Sequence, residues 1–305
     1  PSLLLAQAQH ALASVQSETY NAADSSLMAA KAARTYDALA EKYGSAQAVA
    51  LQAMALMSLA QSPSQSASTE ASTSPAEMLA RARKLLTSVV AFHEQRGESY
   101  EQGIALTFIG LAYYSEGRND EAIGAYTPAL HLFQNLADAG WQAKVLQNIA
   151  LSETELGRIS QALARYDGVL KLISRADDPL VFAIVLNNSA YANRVFGNAD
   201  VALRQYGEAL DLTRSLHDAY FEAQSLHGVG SVYEMMGDGE VALDYYRQAL
   251  ALRTAELDGP GRTASLRAVG NILREQGNSS EALAMHREAL SLAVTPFAIN
   301  RIRVQ

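Results

Sequence analysis

Histidine and carboxylate side chains are the groups in this sequence that could support metal or acid–base chemistry. The six histidines occur singly, and no two of them have the HExxH spacing that brings two imidazoles onto one helix face. The chain contains no cysteine, so thiolate ligands and disulfides are excluded. We therefore expect no metal site and no bound cofactor. His286 is interpreted as a helix-face residue.

Motifs for nucleophilic or nucleotide chemistry are also missing. Gly228 and Gly230 have the spacing that opens a dinucleotide-binding loop, but Tyr233 stands where a third glycine is required and no strand pattern precedes them. Carboxylates such as Glu153 and Glu155 are scattered along predicted helices, where a solvated face is the default interpretation. No catalytic residue is predicted, and the sequence favours a binding protein over an enzyme.

The composition favours helices and limits the choice of partners. Nearly half of the 305 residues are apolar and only seven are proline. The net charge of −8 comes from residues 98–305, which hold 17 basic and 25 acidic side chains, whereas residues 1–97 hold seven of each. An acidic surface repels phosphate backbones, so no nucleic acid is expected on the bulk surface. No stretch reaches the roughly 18 apolar residues that span a bilayer.

A repeat of 40 residues organises most of the chain. Five glycines recur at this spacing, each followed five residues later by alanine and nine residues later by tyrosine, or by histidine in the last copy. A leucine precedes each glycine by 11 residues, and another follows it by 13. The glycines are Gly117, Gly157, Gly197, Gly237 and Gly277, and the second leucines are Leu130, Leu170, Leu210, Leu250 and Leu290.

Each copy predicts two antiparallel helices. The glycine ends the first helix by adopting a left-handed conformation. An aspartate at the junction between copies caps the next first helix, with Glu98 in the equivalent place of the first copy. The aspartates are Asp138, Asp178, Asp218 and Asp258. A single pair cannot bury its apolar stripe alone, so the pairs must stack.

The repeated positions resemble the tetratricopeptide repeat signature. Leu106-x2-Ile109-Gly110-x2-Tyr113 followed by Ala122-x3-Tyr126 matches it, and the copy beginning at Leu226 repeats the pattern. The resemblance implies an all-α fold, an α-solenoid with a right-handed superhelix of stacked antiparallel helix pairs. The period is 40 instead of 34 and the closing proline is absent, so we expect a longer second helix. Such variants resemble repeats of bacterial signalling regulators and kinesin light chains.

The repeats predict the organisation of the whole chain. Residues 98–295 form five 40-residue units, and residues 296–305 begin a further helix. Residues 1–97 form two degenerate helix pairs, in which Gly44 ends the second helix. A Ser/Thr-rich loop at 61–75 is interpreted as an exposed insertion, the alternative being a phosphorylation or docking segment. The predicted helices of this part are Leu3–Val15, Ser25–Tyr43, Ala46–Ala60 and Ala76–Glu94.

The resemblance implies that the first helix of each pair lines a concave groove that receives a protein or peptide. A polar and aromatic stripe spaced i, i+4, i+7 lies beside the core stripe of these helices. Amides can bridge an extended peptide backbone, and arginines can hold carboxylates. The predicted groove residues are Gln147, Asn148, Leu151, Asn187, Asn188, Tyr191, Arg194, His227, Ser231, Glu234, Arg267, Asn271 and Arg274.

Two expectations make the groove prediction testable. Arg165 and Arg204 fall on second helices and are assigned to the outer surface, so they serve as controls for the groove arginines. Glu234 is taken as a groove residue whose removal leaves stability unchanged.

The sequence thus predicts a non-enzymatic protein- or peptide-binding module. We interpret it as the sensory or regulatory part of a larger bacterial signalling protein, with an effector domain beyond Gln305. Two alternatives stay open: a stand-alone scaffold for several partners, and the regulatory half of an enzyme such as a CHAT-type protease or a nucleotide cyclase.

Overall fold

The computed structural model describes residues 2–18, 21–61, 73–176, 178–254 and 258–294, and these residues form helices without any strand. The all-α repeat fold predicted from the sequence is confirmed. No helix in these ranges is long and apolar enough to cross a membrane. The helices are α1 (Leu3–Glu18), α2 (Ala22–Ala38), α3 (Lys42–Gln61), α4 (Pro75–Arg96), α5 (Ser99–Ser115), α6 (Asn119–Asn135), α7 (Ala139–Glu155), α8 (Ile159–Leu172), α9 (Pro179–Phe196), α10 (Ala199–Ser215), α11 (Ala219–Met236), α12 (Gly239–Leu252), α13 (Gly259–Glu275) and α14 (Ser279–Val294).

The chain divides into two compact units, residues 1–152 and residues 153–305. Within unit 1, each helix from α1 to α5 packs on the next, and α3 also contacts α1 and α5. Within unit 2, α8 to α14 pack in the same succession, and α9 contacts α11. First helices of neighbouring pairs therefore lie side by side within each unit. The predicted boundary between residues 97 and 98 stays a prediction.

The spaced glycines end the first helices as predicted. All five have φ between +73° and +92°, and Gly97 after α4 has φ +69°. A residue with a Cβ is strained in this left-handed region, which explains why glycine recurs there.

The junction aspartates cap the following helices, which confirms the prediction that they act as N-caps. Asp138, Asp178, Asp218 and Asp258 each accept a hydrogen bond from the backbone N–H three residues later, at 2.9–3.2 Å. Glu98 makes no such cap, because its carboxylate binds Arg96 and His93 instead, each at 2.7 Å.

The predicted end of the second helix at Gly44 is wrong. α2 ends at Ala38, the left-handed residue of this turn is Ala40 with φ +56°, and Gly44 lies inside α3. The Tyr36 ring leaves no room for a side chain at position 44, since a Cβ on Gly44 would lie 2.6 Å from the Cε1 atom of Tyr36. The glycine allows close packing there, and the helix stop is supplied elsewhere.

The expectation of longer second helices holds for only part of the array. α6 and α10 have 17 residues, whereas α8 and α12 end after 14. Ile173 and Arg253, which follow the shorter helices, have extended backbones. Most of the predicted loop at 61–75 and the predicted further helix at 296–305 lie outside the described residues.

The repeated tyrosines fill the interior of each unit. Tyr126 in unit 1 and Tyr166, Tyr206 and Tyr246 in unit 2 are all buried. The Tyr206 ring reaches the next pair, where a Cβ on Gly228 would stand 2.2 Å from its Cε1 atom. Tyr206 thus joins neighbouring pairs, whereas Tyr126 and Tyr246 lie against Gly110 and Gly230 of their own pairs.

Candidate partner-binding surface

The predicted groove residues lie on first helices of both units. Those on α7, namely Gln147, Asn148 and Leu151, are half-buried in unit 1. The others belong to unit 2. On α9 are Asn187, Asn188, Tyr191 and Arg194; on α11 are His227, Ser231 and Glu234; on α13 are Arg267, Asn271 and Arg274.

Asn187 is the most unusual of them. Its side chain is buried at 7% exposure, and neither Oδ1 nor Nδ2 has a hydrogen-bond partner among the described residues. Buried amides of folded proteins are almost always satisfied, because an unpaired one costs about 1–3 kcal/mol. Both atoms are covered in the free chain, so a bound peptide pairs with them only when the amide moves outward.

Arg194 lies one helical turn beyond Tyr191 and covers its ring, with 5.2 Å between the guanidinium carbon and the ring centroid. The buried Nε of Arg194 has no hydrogen-bond partner among the described residues. Burial raises the pKa of the nearby Tyr206 to about 12, and the Arg194 charge opposes this rise. The cation, Tyr191 and Tyr206 therefore form one cluster at the end of α9, with Asn187 on the same helix.

His227 joins α11 to α13 rather than standing free. Its Nδ1 lies 3.1 Å from Ser265 Oγ, and its ring lies 4.9 Å from the Tyr246 ring. Burial lowers the pKa of His227 to about 3, helped by the positive charges of Arg253 and Arg194. The imidazole is thus neutral at neutral pH, and it cannot serve as a cation for an acidic partner.

This histidine should make unit 2 acid-sensitive. Its pKa in the folded chain is below the unfolded value of 6.5, so stability is complete above about pH 6.5 and falls as the pH drops toward 3. At about pH 4.5 the expected loss is about 2–3 kcal/mol. His227→Gln should shrink the difference in melting temperature between about pH 7 and about pH 4.5. The exposed His217, changed to Asn, is the control; an equal reduction there would contradict the assignment.

Glu234 forms a hydrogen bond with a residue of the core. The buried Tyr246 hydroxyl donates a hydrogen bond to its carboxylate, so the expectation that Glu234 can be removed without effect is wrong in its premise. Burial and, second, this bond to the carboxylate raise the pKa of Tyr246.

Glu234→Ala should therefore lower the melting temperature, because the Tyr246 hydroxyl loses its acceptor. With one partner at the surface, a loss of about 1 kcal/mol is expected. In the Tyr246→Phe background the same change should have almost no effect, and thermal melts of the four variants measure the coupling. Additive losses would show that the hydrogen bond contributes nothing.

The remaining predicted groove residues differ in exposure and in hydrogen bonding. Ser231 Oγ donates to the Gly228 carbonyl at 2.7 Å, which satisfies its hydroxyl within α11. Arg267 and Arg274 are exposed, and Asn271 is half-buried. These exposed arginines are available to a partner, whereas Ser231 is not.

One of the two intended outer-surface controls is unsuitable. Arg165 Nε lies 2.8 Å from both carboxylate oxygens of Glu153, whose side chain is buried at 4% exposure. The interpretation of Glu153 as a solvated carboxylate is wrong, because the carboxylate is buried and forms an ion pair with Arg165 on the second helix of the pair. Arg204 on α10 is exposed and serves as the control.

Sequence reasoning missed a buried cation. Arg253 pairs with Asp258 at 2.9 Å and donates to Ser265 Oγ at 2.6 Å and to the Gly261 carbonyl at 2.7 Å. A signal was present in the repeat: the position of Arg253 is held by Phe133, Ile173 and Thr213 in earlier copies, none of them charged. A single charge at a position that is otherwise uncharged marks a residue with partners of its own. No group of three side chains suited to a metal ion occurs in the described ranges.

Comparison with known families agrees with this geometry. Residues 181–255 and 221–293 match the sequence model of the tetratricopeptide repeat family. Residues 181–293 of the chain are tetratricopeptide repeats. Proteins of this family bind protein or peptide partners, and the fold is generally non-catalytic. No curated protein shows significant sequence similarity to the chain.

Solved structures share the fold at low sequence identity. A STAND-class signal-transduction ATPase with a tetratricopeptide repeat sensor, from Pyrococcus horikoshii, matches with a TM-score of 0.71 and 13% identity over 94% of this chain and 42% of that one. The apo form of RapI matches with a TM-score of 0.63 and 14% identity over 95% and 76%. BtubC (BKLC) from P. vanneervenii matches with a TM-score of 0.56 and 20% identity over 75% and 94%.

Proposed function

We propose that this chain is the sensory part of a larger bacterial signalling protein, and that unit 2 binds an acidic peptide segment across α9, α11 and α13. The observation that carries the proposal is the buried, unpaired amide of Asn187 on the helix that also presents Arg194. Once the amide turns outward, a peptide bond facing Asn187 satisfies both of its polar atoms at once.

Charge selects the kind of peptide. Arg194 holds an Nε without a hydrogen-bond partner, and Arg267 and Arg274 are exposed on α13, the first helix of the last pair. Carboxylates of the partner pair with these guanidinium groups, while Asn188 and Asn271 add backbone contacts and Tyr191 offers an aromatic surface. The chain has a net charge of −8, so most of its surface repels an acidic peptide. The exposed arginines give such a peptide a local binding surface of opposite charge.

A sensory role is supported by analogy of fold. In the Pyrococcus horikoshii STAND protein the tetratricopeptide repeats are the sensor, and the chain spans less than half of that protein. Binding in unit 2 is then the input that an effector reads.

The test uses the full chain and a displayed library of acidic peptides, followed by fluorescence anisotropy with a selected peptide. Arg194→Glu should weaken binding at least tenfold, a change of about 1.4 kcal/mol. Asn187→Leu, which keeps the number of side-chain heavy atoms and removes both polar ones, should also weaken it. The matched charge reversal Arg204→Glu should bind like the parent chain. Loss of binding in Arg204→Glu together with normal binding in Arg194→Glu would place the partner on the second helices and contradict the proposal.

A further inference from the structure

Unit 1 contains a cavity of about 150 Å³ between α3, α4 and α5. A dry cavity of roughly this volume accommodates a benzene-sized molecule. Its lining is shared by the three helices, so its shape depends on their packing and not on one loop. The lining residues are Tyr43, Ala46, Gln47, Ala50, Met54, Leu86, Val89, His93, Glu101, Ile104, Ala105 and Phe108.

Polar and apolar groups occupy different parts of this lining. Tyr43 at the start of α3 lies against His93 near the end of α4, with ring centroids 6.2 Å apart, and α5 begins just beyond, with Glu101 in its first turn. Farther along the same helices the lining side chains are apolar, among them Met54 and Phe108. The cavity therefore has a polar end and an apolar body.

At the polar end of the cavity, Glu101 carries a carboxylate that is not paired with another described residue. The neighbouring Glu98 already binds His93 Nδ1 and Arg96 Nε, both at 2.7 Å. Glu101 is half-buried, and its carboxylate has no hydrogen bond or ion pair with any described residue. A carboxylate beside apolar surface gains from a cation that replaces its lost water.

We propose that this cavity binds a small organic cation, namely a protonated amine on a compact aromatic or branched aliphatic body. The ammonium pairs with Glu101, and the apolar body lies among Met54, Leu86 and Phe108. An acidic ligand would place two like charges together, and a purely apolar one would leave Glu101 desolvated without a partner. This site is independent of the peptide surface proposed for unit 2.

Calorimetric titration of the full chain with benzylammonium, benzyl alcohol and phenylacetate tests the proposal, because the three probes share a ring and differ in charge. Benzylammonium should bind at least tenfold more tightly than benzyl alcohol, and phenylacetate should not bind. Glu101→Gln should remove the preference for the amine, whereas Glu94→Gln, an exposed carboxylate on α4, should retain it.

A second variant tests the cavity itself. Ala50→Leu adds volume inside the lining and should abolish benzylammonium binding, while leaving peptide binding by unit 2 unchanged. Absence of benzylammonium binding to the parent chain, equal binding of the three probes, or unaltered binding in Glu101→Gln would each overturn the proposal. If Ala50→Leu does not fold, the comparison of Glu101→Gln with Glu94→Gln decides alone.

Discussion

Replacing Asp258 with alanine is expected to lower the free energy of unfolding of unit 2 by about 3–5 kcal/mol, because it leaves a buried cation without its counter-ion. The side chains of Arg253 and Asp258 are 4% and 9% exposed, and the ion pair spans 2.9 Å. Burial lowers the pKa of Arg253, and the Asp258 carboxylate is the main group that opposes this effect. Without it, the guanidinium keeps the Gly261 carbonyl and the Ser265 hydroxyl as its hydrogen-bond partners among the described residues.

The equivalent aspartate of an earlier repeat provides a matched control. Asp178 caps α9 through the Val181 N–H at 3.0 Å but is exposed and makes no ion pair with the described residues. Asp178→Ala removes a cap alone and should cost about 1 kcal/mol. Asp258→Asn retains a capping oxygen and removes the charge, so it should resemble Asp258→Ala.

Urea unfolding followed by circular dichroism, together with hydrogen exchange of the α13 amides, measures these losses. Similar losses for Asp178→Ala and Asp258→Ala would show that Asp258 acts only as a cap, and the importance assigned to the ion pair would be refuted.

Leu210→Ala and Leu290→Ala should differ strongly although the two leucines hold the same repeat position. Leu210 is 7% exposed and packs with Leu226 and Ala249, so truncation should leave a cavity that costs about 2–5 kcal/mol. Leu290 on α14 is 64% exposed, and its truncation should change stability by no more than about 0.5 kcal/mol. Both lie in unit 2, so melting temperatures of the two variants compare directly. Equal losses would mean that Leu290 is covered in solution.

Some features of this fold depend on a few consecutive residues, and others depend on contacts between helices. The glycines that end first helices and the aspartates that begin the next ones act on backbone groups within a few residues. A left-handed turn favours glycine, and the first four N–H groups of a helix lack an intrahelical acceptor, whatever the rest of the protein does. The repeat, the helix pairs and their caps could therefore be predicted from the sequence.

Packing across pairs could not be predicted in the same way. Gly44 looked like a helix stop and proved to be a contact with Tyr36, because a glycine serves both purposes and the sequence does not distinguish them. Glu153 looked like a solvated carboxylate and proved to be buried against Arg165, since its exposure depends on the second helix of its own pair.

The candidate site shows the same division. The register placed Asn187, Arg194, His227 and Glu234 on first helices, and that placement follows from the 3.6-residue helical period alone. Only the tertiary structure decided that His227 is neutral between Ser265 and Tyr246, that Glu234 accepts from Tyr246, and that Asn187 is left unpaired. The physical reason is that the helical period determines the direction of a side chain, whereas its burial and its hydrogen-bond partners depend on residues of adjacent helices, which differ from one repeat to the next.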